Sequence, residues 1–226
     1  MHLSPSGNMF MSSSLPLRDD GALRGSLMLA LFTLFGLGLA YSLIATGITG
    51  ALFSEQANGS LLRVDTRVVG SLLVAQPFTD AGYFQPRPSA ARYDLTAASG
   101  SNQARSNPDL LSRIAATRAQ VAAREGIAPA AVPGELLTQS GSGLDPHLSP
   151  AGAQVQIRRV AAARGWTEQR VAALVRAATE APQFGLLGQP RLNVLALNLA
   201  LDRATYVEVK KVRMGHGPSS RLGARL

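Results

Sequence analysis

Residues 25–54 read GSLMLALFTLFGLGLAYSLIATGITGALFS, and no charged side chain interrupts them between Arg24 and Glu55. At about 1.5 Å of helical rise per residue, such a run reaches about 45 Å, against roughly 30 Å of hydrocarbon in a bilayer. It is longer than a secretory h-region of roughly 7–15 residues, and no A-x-A cleavage site follows it. A buried core helix would leave one face polar, and this stretch is apolar on every face. The reading is a single membrane-spanning helix, with the rest of the chain on one side of the membrane. Gly36, Ala40, Gly47 and Ala51 recur at steps of four, seven and four residues. Such spacing places them on one face of an α-helix, where small residues let another helix approach; glycine is also simply common in spanning helices.

Outward from the helix, residues 1–22 are rich in Ser and Met with no apolar period and read as a flexible extension. Arg18 and Arg24 precede the apolar run, whereas Arg63 and Arg67 follow at a distance, a weak bias toward an N-terminus inside. A long C-terminal domain then lies outside, on the periplasmic side of a bacterial inner membrane. The expected organisation is 1–22 extension, 23–54 spanning helix, 55–205 extracytoplasmic domain and 206–226 basic, disordered tail.

The formal charge of +8 is largely local. Lys210, Lys211, Arg213, Arg221 and Arg225 lie beyond the last acid, Glu208, and the remaining basic residues are scattered with few aromatics. A nucleic-acid surface needs clustered positive charge and, for single strands, stacking rings, so nucleic acid is not an expected partner. The chain has no cysteine, which excludes disulfides, thiolate catalysis and cysteine zinc sites.

Within the domain, the apolar run of Val68, Val69, Leu72, Leu73 and Val74 suits a strand or a buried helix end. Pro86 and Pro88 stiffen the backbone around Arg87, which suits either a contact with a carboxylate or carbonyl rim or a solvated arginine. Asn107-Pro108-Asp109 is an N-cap, a first-turn proline and a first-turn acid, starting a helix that Gly126 closes. Residues 136–138 form a candidate short strand. Ser149-Pro150 opens a second helix running to Gly165, and Thr167 caps a third that ends before Pro182. Residues 191–202, RLNVLALNLALD, alternate apolar positions and read as a core strand, although Asn193 and Asn198 oppose β structure. The fold class is α+β, or α/β, with the sheet as its smaller part.

Residues 139–150, QSGSGLDPHLSP, form the densest polar loop. Ser140, Ser142, Asp145 and His147 supply the letters of a hydrolytic triad, yet eight consecutive residues rarely converge as a triad requires, and no G-x-S-x-G elbow occurs. His147 is the single histidine outside the terminal extensions, so no second imidazole is available for a metal pair, and no metal is expected. Gly141 and Gly143 could turn backbone amides toward an anion or phosphate; alternatively the polar side chains order the loop by bonding to backbone. Walker, Rossmann and H-E-x-x-H motifs are absent. A membrane-tethered periplasmic ligand-binding protein or serine-type hydrolase using this loop is the competing reading.

Residues 136–165, LLTQSGSGLDPHLSPAGAQVQIRRVAAARG, together with Phe84-x-x-Arg87-Pro88-Ser89, Ser99-Gly100-Ser101-Asn102, Ser106-Asn107-Pro108 and 187–202, LGQPRLNVLALNLALD, resemble the C subunit of the Kdp-type potassium-transporting P-type ATPase. The likeness covers residues 23–202; Gln189 stands where an acid is common, and both terminal extensions fall outside it. The resemblance implies an accessory, non-catalytic subunit of an ATP-driven, high-affinity potassium importer. Its partners would be an ion-conducting subunit, the P-type ATPase subunit and membrane lipid. Its role would be in assembly and as a chaperone raising the ATPase subunit's affinity for ATP. No D-K-T-G tetrapeptide, the phosphorylation site of P-type pumps, occurs here. ATP would then act through the complex rather than as a cofactor of this chain, with residues 140–143, Asp145 and His147 the candidate nucleotide-related loop. Arg87, Pro88, Ser89, Asn102, Arg191 and Asn193 are the candidate partner contacts.

Overall fold

A computed structural model describes residues 21–215, with side chains to Glu208. Most of the N-terminal extension and residues 216–226 of the tail lie outside the described residues. The chain divides into two compact units at Ala57/Asn58.

The first unit is one apolar helical rod, Ala22–Leu52, with no buried residue in its most hydrophobic window. It comprises α1 (Ala22–Leu31), a π-helical stretch (Phe32–Tyr41) and α2 (Ser42–Leu52), followed by one turn, α3 (Ser54–Ala57). Its length and composition fit a membrane anchor. The hydroxyls of Thr33, Ser42 and Thr49 donate to carbonyls one turn back, so these three side chains are satisfied within the rod, as a hydrocarbon environment favours. Gly36 and Ala40 fall in the π-helical stretch and Gly47 and Ala51 in α2 or its end. The wider π turn bonds i to i+5, so a four-residue step falls short of one turn there. The small-residue face expected from α geometry is therefore offset between the two halves.

The second unit begins with an antiparallel hairpin, β1 (Leu61–Val64) and β2 (Arg67–Ser71), with Leu61 opposite Ser71 and Val64 opposite Arg67. The strand alternative for 68–74 is thus the one realised, over its first part. A long irregular segment leads to α4 (Pro108–Glu125), where the Asn107 side chain accepts from the Asp109 amide and Gly126 closes the helix at φ +65°. Then come β3 (His147–Leu148), α5 (Pro150–Gln154), α6 (Ile157–Arg164), α7 (Glu168–Ala178), β4 (Leu192–Asn193) and α8 (Val194–Gly215). Strands β3 and β4 pair antiparallel, His147 with Asn193 and Leu148 with Leu192.

Three local expectations are corrected. Residues 136–138 are not a strand: Gly134–Leu136 is a 3-10 turn whose Leu136 points into the core. The helix from Ser149 does not run unbroken to Gly165 but is split into α5 and α6 at Val155-Gln156. Residues 191–202 contribute only two residues of strand before α8 begins. The buried positions Val194, Leu197, Asn198 and Leu201 follow i, i+3, i+4, i+7 spacing, one face of a helix. Helix α8 also passes residue 206 and reaches Gly215, so the tail expected from that point starts inside a helix.

The core joins the inner faces of α4, α6, α7 and α8 to Phe84, Leu136 and Leu148. Phe84 belongs to an extended, proline-bounded segment without a strand partner. Two buried amide side chains supply the missing ladder. Asn198 of α8 accepts from the Phe84 amide and donates to its carbonyl, both at 2.9 Å. Gln156, at the α5–α6 break, accepts from the Gln85 amide at 2.9 Å and donates to the Gln85 carbonyl at 3.1 Å. Backbone groups that a sheet would satisfy are thus satisfied from helices, as buried polar groups must be.

Arg159 fastens the same segment: its guanidinium reaches the carbonyls of Ala81 (2.6 Å) and Tyr83 (2.9 Å), the Glu125 carboxylate (2.9 Å) and Gln156 Oε1 (2.8 Å). One residue earlier in the segment, the Tyr83 hydroxyl donates to Asp202 at 3.0–3.1 Å, while Arg164 stacks on the Tyr83 ring and pairs with Asp202 at 2.9 Å.

Candidate functional site

The polar loop of residues 139–148 is where the separated sequence motifs meet. Its start is bonded to the proline segment, the Ser140 amide donating to the Pro88 carbonyl at 3.3 Å. Its middle is bonded to the chain after β2, the Ala75 amide donating to the Leu144 carbonyl at 2.8 Å. Its end becomes β3, paired with β4, and the Val194 amide donates to Pro146 at 2.9 Å. Asn193 donates from its side chain to Leu72 O at 2.7 Å and accepts from the Ala196 amide at 3.0 Å. It therefore ties the start of α8 to the residues just after the hairpin.

The loop of residues 99–102 packs on the same surface through glycines. A Cβ at Gly100 would lie 2.7 Å from Gly141 O, and one at Gly143 would lie 2.7 Å from Ser99 O and 3.0 Å from Ala91 Cβ. Gly143 also sits at φ +72°, where a side chain is strained. Gly143→Ala is expected to cost about 2–3 kcal/mol of domain stability through backbone strain and overpacking. Ser140→Ala is expected to change stability by less than about 0.5 kcal/mol, since it removes a buried hydroxyl that has no hydrogen-bond partner among the described residues. Denaturant midpoints of the two variants, followed by fluorescence of the one tryptophan, Trp166, check the contrast.

The charged groups of the loop are held locally. Arg87 Nη1 reaches Asp145 Oδ2 at 3.2 Å, an ion pair within the domain. Asp145 Oδ1 accepts from the His147 amide at 3.0 Å and lies 3.4 Å from His147 Nδ1. Ser142 Oγ accepts from the Leu144 amide at 3.1 Å. Neither Ser140 nor Ser142 is hydrogen-bonded to His147 among the described residues, so the letters of a triad are not assembled as one. Ser89 Oγ accepts from the Tyr93 amide at 3.0 Å, and the Tyr93 hydroxyl donates to the Arg87 carbonyl at 2.8 Å. Burial pushes the Tyr93 hydroxyl above its ordinary value of about 10. Tyr83 is also raised, by burial first and then by its bond to Asp202.

Both phenols thus favour the folded state fully below pH 10, and that contribution is lost as pH rises through their folded values. The double change Tyr83→Phe with Tyr93→Phe is expected to flatten the fall of stability as pH rises above about 10, read from melting temperatures on either side of that pH.

Not every candidate joins this surface. Asn102 holds its side chain exposed at φ +50°. Arg191 pairs with Glu180 at 3.2 Å, and both side chains are largely exposed. The residues to which sequence reading assigned no contact are the ones doing the fastening: Glu125, Gln156, Arg159, Asn198 and Tyr93. Glu135 also belongs here, accepting from the Ser149 amide and hydroxyl (3.1–3.2 and 2.5 Å) while Ser149 Oγ caps Gly152. A glutamate that bonds the N-cap residue at the start of a helix is a recognisable signal, but this one lies fourteen residues upstream.

The chain thus combines one apolar helix long enough to anchor a membrane protein with a mixed helical domain whose separated motif loops are bonded to each other. The family of the K+-transporting ATPase C chain, KdpC, matches residues 23–203. Similar proteins include the potassium-transporting ATPase KdpC subunit of Xanthomonas oryzae pv. oryzae (strain MAFF 311018), 91% identical over 194 residues, covering 86% of this chain and 93% of the relative. The subunit of the same name from Shewanella putrefaciens is 49% identical over 181 residues, covering 80% and 89%. That of Kineococcus radiotolerans is 50% identical over 183 residues, covering 80% and 93%. The chain belongs to the KdpC family, the C chains of potassium-transporting ATPases, and is a subunit of such a complex.

Proposed function

We propose that this chain is the non-catalytic accessory subunit of an ATP-driven potassium importer, supporting assembly and acting as a chaperone that raises the ATP affinity of the ATPase subunit. The observation that carries this reading is the occupation of the loop. Ser142 and Asp145 bond to backbone amides inside the loop, and Asp145 is also neutralised by Arg87. Such a loop is architecture rather than a reacting centre. The absence of D-K-T-G from the sequence supports assigning hydrolysis to another subunit.

The anchor's weak positive-inside bias favours a periplasmic domain, docked on the ion-conducting subunit. From there the domain cannot touch cytoplasmic ATP, so any effect on nucleotide affinity is a coupling through the partner subunits. Typical couplings of about 1–3 kcal/mol correspond to roughly 5–150-fold in affinity. The test measures ATP affinity of the purified complex with and without this chain, together with protease accessibility of its C-terminal domain in spheroplasts. A 5–150-fold weaker affinity without the chain, with external protease cleaving the domain, is the expected result. A protected domain, or ATP binding by the purified chain alone in detergent, would refute indirect action.

A further inference from the structure

Residues 180–191 leave the domain and return to it as a closed ribbon. At its base, Glu180 and Arg191 exchange both backbone hydrogen bonds, at 2.7 and 3.2 Å, and their side chains pair at 3.2 Å. Further out, Gln183 and Leu187 exchange another pair, at 2.8 and 2.9 Å. The tip is closed by the Gly185 amide donating to Pro182 O at 2.9 Å and the Leu186 amide to Gln183 O at 3.2 Å. This bonded scaffold holds Phe184, Leu186 and Leu187 in solvent, with relative exposures of 84%, 86% and 61%.

Exposed single apolar residues are ordinary; three on one short, rigid tip are not. Phe184 is moreover held at φ +56°, a conformation bulky side chains rarely adopt and one that tends to persist where function requires it. None of the three belongs to the hydrophobic core.

The charge pattern selects the partner. Residues 182–190 carry no charge, and the flanking Glu180 and Arg191 neutralise each other at the base. Elements that lie in a lipid interface combine apolar residues with Lys or Arg for the headgroups, and this tip has none to offer. A rigid, uncharged aromatic and aliphatic tip fits a dry concave pocket in protein, where its fixed shape lowers the ordering cost of binding.

We propose that Phe184, Leu186 and Leu187 form a preformed plug that seats in an apolar pocket on another protein subunit of the same complex, an inference that rests on the complex-subunit reading above. The test places p-benzoylphenylalanine at residue 184 or 186, and at the exposed helix position Leu111 as a comparison, in the full chain expressed with its partner subunits. Irradiation is expected to join positions 184 and 186, far more than 111, to one partner subunit, identified by mass spectrometry. Adducts with phospholipid alone, or no subunit adduct from either position in a complex that still co-purifies, would overturn the plug and leave the complex-subunit reading standing. Failure of the unsubstituted chain to co-purify with any partner would overturn that reading and the plug with it. A second measurement separates docking from folding. Phe184→Ser with Leu186→Ser is expected to leave the melting temperature of the full chain unchanged and to weaken retention of the partner subunit at least about tenfold; unchanged retention would overturn the proposal.

Discussion

Arg159→Met is expected to lower the unfolding free energy of the soluble domain by about 3–5 kcal/mol. Arg159 sits on α6 facing Glu125, the last residue of α4, whose side chain is fully buried. Removing the guanidinium leaves that carboxylate with Arg124 as its remaining cation, at 2.6 Å. It also strips the carbonyls of Ala81 and Tyr83 of their donor. An uncompensated buried charge costs far more than the loss of a surface pair, and domain stabilities total only about 5–15 kcal/mol. Arg159→Lys is expected to lose part of that amount, because an ammonium cannot span a carboxylate and two carbonyls with a planar fork. Urea unfolding of the full chain in detergent, read at Trp166, checks both. Trp166 is a suitable reporter because Arg170 stacks 3.7 Å from its ring at the α6–α7 junction. A loss below about 1 kcal/mol for the methionine variant would show that Arg124 alone compensates Glu125.

Asn198→Leu is expected to cost about 3 kcal/mol, although it keeps the branched shape of the side chain and raises hydrophobicity. The change deletes the donor and the acceptor that pair with Phe84, whose side chain is fully buried, and leaves one amide and one carbonyl unsatisfied inside the protein. Each orphaned backbone group costs about 1–3 kcal/mol, of which the added apolar contact returns only a part. The loss should be visible as accelerated hydrogen exchange at the Phe84 amide before global unfolding. Asn198→Asp keeps the acceptor and loses the donor while burying a charge, so it is expected to be no milder. Retention of Phe84 protection in the leucine variant would mean that the extended segment is held by its prolines and by Gln156 without Asn198.

These two residues also show where sequence reading stops. Helix starts were legible because their chemistry is local. Asn107, Ser149 and Thr167 each cap amides two or three residues ahead, and Gly126 and Gly165 close helices in the left-handed conformation. The apolar spacing at 192, 194, 195, 197, 199 and 201 fits period two about as well as a helical face. Asn198 stood against the strand reading without revealing its own role, because its partner, Phe84, lies 114 residues away. Gln156 was unreadable for the same reason: its amide breaks the helix from Ser149 in order to serve Gln85, 71 residues upstream. In the loop of residues 139–148, sequence supplied the right residue types with two readings. Distances then assigned Ser142 and Asp145 to backbone amides and Arg87 to Asp145.

By itself the sequence determined the apolar rod, the helix caps, the polar loop and the family likeness, since each depends on neighbours along the chain or on residue order. Only the tertiary structure decided that 194–215 is a helix, that two buried amides replace a sheet for the segment through Phe84 and Gln85, and that an uncharged tip stands out from the domain. The physical reason is that a buried polar group is defined by its partner, and these partners lie 71 and 114 residues away along the chain. Periodicity reports which residues avoid water but not which distant backbone they satisfy when they do.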